Sequence, residues 1–232
     1  MVYESNARPS RDGLAEGLAL IFDMDGVLVD SGPLHREAWA RFNRRYGVET
    51  TRAMLERTYG LRNDDIVREF FGDRLPAEEV AARGAQKEQL YREMVGGRLE
   101  TILVPGLRVF LERHAHTPMA VASNAEPENV RFVLDGTGLS EYFRVVVDGH
   151  QVSRPKPDPE VYLRAAELLG IAAPNCIVFE DSYSGVQAAQ AAGMRVIGLR
   201  TTYGNLPGTG ICVDNFLGGV VDKWLEAQAK AV

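Results

Sequence analysis

The chain has 232 residues, 45% of them hydrophobic and 25% charged, enough apolar material to bury one sizeable core and too much for a disordered chain. Its formal net charge of −6 argues against a surface built for sequence-independent contact with nucleic-acid phosphates, and no apolar run approaches the ~20 residues that span a bilayer. The polar segment 1–17 lacks the apolar stretch of a secretion signal, and the two cysteines, Cys176 and Cys212, form no CxxC pair. The expectation is a cytoplasmic monomer with a flexible N-terminal segment over 1–17 and with neither a membrane nor a nucleic-acid partner.

In chain order, the apolar run 18–22 stops abruptly at Asp23-Met24-Asp25-Gly26 and predicts a buried strand opening into a loop. From 31 to 103 no such run recurs. The text turns helical, charged and arginine-rich, with 13 basic against 12 acidic residues, and predicts an inserted helical domain. Further short apolar runs at 119–122, 145–147, 177–179 and 196–199 alternate with helical stretches. Runs of that kind suit strands buried on both faces, so the expected fold class is α/β: a doubly wound, parallel, Rossmann-like sheet built from 18–30 and 104–232. The clearest helix is 159–169, with Asp158 to cap it, Pro159 in its first turn and Gly170 to end it. A second, over 184–192, ends at Gly193.

Four loops carry chemistry. Asp23 and Asp25 stand at i and i+2 where a strand ends, so in extended backbone their carboxylates share one side at about 6 to 7 Å. Like charges that close repel unless a cation or a retained proton intervenes. The pair suits a nucleophile beside a general acid/base with a hard metal ion, Mg²⁺, neutralising the site; an isolated motif of this kind also suits a plain turn at Gly26. Ser123-Asn124 offers a hydroxyl, a side-chain amide and free N–H groups ahead of a helix opened by Pro127, which suits a phosphate group as well as a simple cap. Lys156 sits among Pro155, Pro157 and Pro159 and is one of four lysines against 22 arginines. A lysine in a stiff loop suits a point charge on a phosphoryl oxygen or a carboxylate, and as well a solvated loop charge. Glu180 and Asp181 end a buried strand, where adjacent carboxylates are costly without a cation or hydrogen bonds; Asp181 is also a candidate helix cap. In a parallel sheet all four loops meet at the carboxyl edge, where α/β folds build their sites.

These four segments, Phe22 to Ser31, Ser123-Asn124, Pro155-Lys156-Pro157 and Phe179 to Ser182, resemble the ordered motifs of the haloacid dehalogenase superfamily, and the resemblance runs from about residue 18 onward. It implies that Asp23 becomes an aspartyl phosphate and that Asp25 protonates the leaving group and then activates water. It further implies that Asp23, the Asp25 carbonyl and Asp181 bind Mg²⁺ with Glu180 in support, and that Ser123, Asn124 and Lys156 hold the phosphoryl group. The insert resembles the small helical cap of the beta-phosphoglucomutase-like subgroup, where His35, Trp39 and Lys87 match positions of the sugar phosphomutase pattern. Asn63 stands where the mutase's phosphate-binding arginine would align, and Arg62 could substitute only in a shifted loop. The implied activity is hydrolysis of a small phosphorylated metabolite of the sugar-phosphate kind. A phosphomutase and a non-catalytic metabolite-binding protein on the same fold are the alternatives. His114 and His116 read as surface residues, and Cys176 as a packing residue at a strand start.

Overall fold

The computed structural model describes residues 17–58 and 60–229; the segment 1–17 lies outside these apart from Gly17. Strands β1 Ala19–Phe22, β2 Met119–Ala122, β3 Val145–Val147, β4 Cys176–Glu180, β5 Arg195–Leu199 and β6 Ile211–Val213 form one parallel sheet in the order β3-β2-β1-β4-β5-β6. All five apolar runs read from the sequence become strands. The sixth strand was not anticipated: it has three residues, two of them only half-buried, at the sheet edge, so no continuous apolar run marks it.

Between β1 and β2, ahead of α5 Leu107–Arg113, come α1 Gly32–Arg45, α2 Arg52–Thr58, α3 Asn63–Phe71 and α4 Ala77–Val95. These helices gather around an apolar cluster of their own that includes Trp39, Phe42, Val67, Phe70 and Val80. After β2 the chain alternates. Helices α5 Leu107–Arg113, α6 Pro127–Thr137 and α9 Val220–Ala229 pack on the sheet face that carries Leu20, Phe22, Val121 and Phe179. Helices α7 Glu160–Leu169 and α8 Tyr183–Ala191 cover the face that carries Ala19, Ile21, Ala120 and Val178. Successive strand residues thus enter opposite cores, which is why these strands read as continuous apolar runs. The Phe22 and Phe179 rings stack at 4.5 Å across neighbouring strands. Burial of each such side chain stabilises the fold by about 1.5–3 kcal/mol.

Local signals set the helix ends. Asp158 Oδ1 accepts from the Glu160 amide at 3.0 Å, and Gly170 ends α7 at φ +71°; Pro159 occupies the cap position just before the first turn. The cap of α8 is Ser182, whose Oγ accepts from Gly185 N at 3.0 Å, so the alternative of Asp181 as a helix cap falls away. His114 is also corrected. It pairs with Asp222 at 2.8 Å and packs 4.5 Å from the Phe110 ring, which ties α5 to α9. No helix among the described residues is long and apolar enough to cross a membrane.

Candidate active site

Because β1, β2 and β4 run parallel, with Phe22 opposite both Val121 and Phe179, the residues after them arrive side by side at one sheet edge. Asp23, Ser123, Glu180 and Asp181 are all buried there. Lys156 reaches them from the loop after β3, and its Nζ donates to Asp23 Oδ1 at 2.7 Å, Glu180 Oε1 at 2.8 Å and the Ala122 carbonyl at 3.1 Å. Burial alone would lower the Lys156 pKa, but the Asp23 and Glu180 carboxylates reverse that and hold the ammonium charged. For Glu180 too, burial is outweighed by Lys156 and by hydrogen bonds, and its pKa falls. Glu180 Oε1 also accepts from Tyr162 Oη at 2.8 Å, and Oε2 from the amides of Asp181 and Ser182, each at 2.8 Å. Its bonding capacity is spent inside the protein.

Asp23 and Asp181 are different. Burial pushes the Asp23 pKa up to about 7 against the pull of Lys156. Burial, reinforced by the Glu180 and Asp23 charges, drives Asp181 well above the usual carboxylate range. Asp23, Glu180 and Asp181 each bring an oxygen within 4.8 Å of the others. One ammonium among three buried carboxylates leaves negative charge uncompensated, and an all-oxygen donor set of this charge fits a hard divalent cation. Two glycines make the approach possible. A Cβ at Gly26, whose φ is +79°, would lie 1.9 Å from Asp181 Oδ2, and one at Gly185 would lie 1.6 Å from Glu180 Oε1.

Asp25 turns away from the triad toward the helical insert. Its Oδ1 accepts from Ser31 Oγ at 2.5 Å and lies 3.4 Å from His35 Nε2. Burial would raise its pKa, but the nearby His35, the Ser31 hydrogen bond and Lys87 together lower it. His35 stacks on Tyr91 at 3.7 Å, and its Nδ1 lies 2.8 Å from Lys87 Nζ, which donates to Glu88 Oε1 at 2.7 Å. Ser123 Oγ accepts from the Ala125 amide at 3.0 Å. Asn124 spans the seam between core and insert: its Nδ2 donates to the Gly60 carbonyl at 3.0 Å, and its Oδ1 accepts from the Lys156 amide at 3.2 Å.

Arg62 and Asn63 also lie on that seam. The Arg62 guanidinium donates to the carbonyls of Gly149 and Val152, and Asn63 Nδ2 donates to Glu126 Oε1 at 2.8 Å. A cavity of about 220 Å³ joins these groups and is lined by Asp23, Asp25, His35, Lys87 and Lys156 among others. The structure thus gathers every candidate site residue read from the sequence into one site or its rim. Sequence reading missed the supports. Tyr162, Asn129 and Thr202 bond the charged groups from segments far along the chain, Glu88 from beside Lys87, and Ser31 from six residues after Asp25; Thr201 Oγ1 reaches the Gly26 carbonyl at 2.6 Å, and Thr202 Oγ1 reaches Asp181 Oδ2. The two threonines lie just past the end of β5, with Arg200 between it and them, near the strand-end position that Asp23 holds after β1, and that was the available signal.

Known proteins resemble this chain in sequence and fold. Over 181 residues the chain is 32% identical to the fructose-1-phosphate phosphatase YqaB of Escherichia coli, covering 78% of this chain and 95% of that protein. Over 185 residues it is 35% identical to a phosphorylated carbohydrates phosphatase of Thermotoga maritima, covering 77% and 83%. The crystal structure of a beta-phosphoglucomutase from Clostridium difficile superposes with a TM-score of 0.81 over 92% of this chain and 99% of that one, at 23% identity, and supports the fold. The pattern of haloacid dehalogenase-like hydrolases matches residues 18–193, and this chain is an enzyme belonging to that family.

Proposed function

We propose that the protein is a Mg²⁺-dependent phosphatase that hydrolyses a small phosphorylated metabolite, a sugar phosphate, through a phosphoryl group carried on Asp23. The observation that carries this reading is the buried Lys156 held between Asp23 and Glu180, with Asp181 beside them. An ammonium fixed on one oxygen of Asp23 leaves the other free to attack, and it supplies charge that cannot move away as the reaction proceeds. The sequence relation to two sugar-phosphate phosphatases supports the same class of substrate.

In the first half-reaction Asp25, held ionised in the resting site by His35 and Ser31, takes up a proton as the negatively charged substrate enters beside it; Asp23 Oδ2 attacks phosphorus, the bond from phosphorus to the ester oxygen breaks, and Asp25 gives that proton to the departing alkoxide. In the second, water attacks phosphorus while Asp25 takes a proton from it; phosphate leaves and the Asp23 carboxylate is restored. Ser123 and Lys156 hold phosphoryl oxygens in both halves. Asp23, the Asp25 carbonyl and Asp181 would hold Mg²⁺, with Glu180 behind them, and the metal would neutralise the charge shared by the phosphoryl oxygens and the carboxylates. The helices of 31–103 serve as a cap that keeps bulk water from the site.

One observation favours a second reading, a phosphomutase: the His35 and Lys87 pair reaches Asp25 from the cap, a link suited to coupling substrate binding to proton transfer. Phosphate release from a panel of sugar phosphates, measured with Mg²⁺ and with EDTA, tests the proposal. Mg²⁺-dependent release that disappears in Asp23→Asn is expected. Release that survives EDTA or Asp23→Asn would refute it.

A further inference from the structure

The far end of the cavity has its own electrostatic character, set by which charges are already paired. Lys156 is held by Asp23 and Glu180, and Lys87 by Glu88 beside His35. Arg62 is committed to two backbone carbonyls across the seam. Of the other cationic side chains in the lining, Arg36 and His150 are exposed, where water and salt weaken their pull. Facing the seam is a carboxylate. Glu126 stands at the cap position of α6 and is oriented by Asn63 Nδ2 at 2.8 Å. Burial raises its pKa, and Glu88 adds to the rise while His150 opposes it. With Nδ2 donating to Glu126, Asn63 retains Oδ1 as an acceptor, and Glu126 retains Oε2. Both residues line the cavity.

Resting on the phosphatase reading, we infer that the Glu126–Asn63 pair selects the far end of the substrate: it accepts hydroxyl donors of a neutral polyol and rejects a second phosphate or carboxylate. The chemistry is direct. Two acceptors whose nearby cationic neighbour, His150, is solvent-exposed satisfy hydroxyl groups, whereas an anion there would meet a fixed like charge in partly desolvated surroundings. The cavity volume, about 220 Å³, is smaller than the roughly 300–1,000 Å³ of pockets for drug-sized ligands and suits a compact monoester. A negative wall of this kind discriminates through what it repels.

The test compares kcat/KM for fructose 1-phosphate and fructose 1,6-bisphosphate, with p-nitrophenyl phosphate reporting the phosphatase chemistry itself. Wild type should favour the monoester by about tenfold or more, and Glu126→Gln should shrink that preference to about threefold or less, since the amide keeps the shape and removes the charge. Raising ionic strength should shrink the wild-type preference as well, a readout that needs no variant. A wild-type enzyme that takes both substrates equally, or a preference unmoved by both Glu126→Gln and salt, overturns the inference while the phosphatase reading stands. Absence of Mg²⁺-dependent release from p-nitrophenyl phosphate and from every monoester overturns both.

Discussion

Lys156 is the residue on which the site's charge balance turns, because it is the ammonium that bonds two of three clustered carboxylates. Removing it and removing a carboxylate therefore have opposite consequences. Lys156→Met strands Asp23 and Glu180 with no cation, and breaking a buried pair from one side costs about 3–5 kcal/mol. Asp23→Asn instead deletes a carboxylate that burial already pushes up to about 7, so the metal-free fold should keep or slightly gain stability. Urea unfolding in EDTA checks the pair of predictions: the midpoint should fall for Lys156→Met and hold or rise for Asp23→Asn. Both should lose turnover. A Lys156→Met protein as stable as wild type would mean that Lys156 does not hold the carboxylates together.

At the scale of elements, the contact of α4 with α6 is made by a buried chain of polar groups: Lys87 to Glu88, Asn129 Nδ2 to Glu88 Oε2 at 2.5 Å, and Arg92 to Asn129 Oδ1 at 2.5 Å. Burial would raise the Glu88 pKa, but Lys87, His35 and Asn129 lower it below its ordinary value of 4.5. A carboxylate with a depressed folded-state pKa contributes stability at pH values above its unfolded pKa and loses it as pH falls through the folded one. Glu88→Gln should therefore cost about 2 kcal/mol at pH 7, and the gap to wild type should close as pH drops from 4.5 downward. Paired unfolding curves at pH 7 and at acid pH read this; a gap that stays constant with pH would rule out the charge as its source. Lys87 was legible in the sequence as the only lysine of the insert, and Glu88 was not, because a glutamate on a charged helix reads as solvated and its partner Asn129 lies 41 residues on. The same limit explains Tyr162 and Thr202, whose roles depend on which strand lies next to which. The central strands and the loops of the candidate site were legible because burial on both faces leaves an unmistakable apolar run, and a polar residue such as Asp23 or Ser123 marks where it stops. The sequence left Asp181 open as the α8 cap; Ser182, its neighbour and as good an N-cap by residue type, takes that place, and Asp181 belongs to the carboxylate cluster instead.

At the scale of the whole molecule, the helical insert rests on the sheet edge through contacts already made without substrate: Asn124 to Gly60, Asn63 to Glu126, and Arg62 to Gly149 and Val152. Arg62 matters most for the choice between hydrolysis and isomerisation. A mutase needs a cationic grip on a second phosphate while its intermediate turns over in the site, and Asn63 supplies no charge. Arg62 has its guanidinium on core carbonyls, with Nε buried and unpartnered. Its contribution is thus to closure, and closure serves every substrate alike. Loss of hydrogen bonds from a charged donor costs about 1.5–3 kcal/mol, so Arg62→Ala should lower kcat/KM by about 10- to 150-fold for p-nitrophenyl phosphate and hexose monophosphates together. The ratio between substrates should stay nearly constant. With beta-glucose 1-phosphate and a bisphosphate primer, wild type should release phosphate faster than it forms glucose 6-phosphate, since water competes for a phospho-enzyme whose partner is weakly gripped. If isomerisation instead outpaces release by about tenfold, and Arg62→Ala abolishes it while sparing p-nitrophenyl phosphate, the arginine binds the distal phosphate during turnover and the enzyme is a mutase.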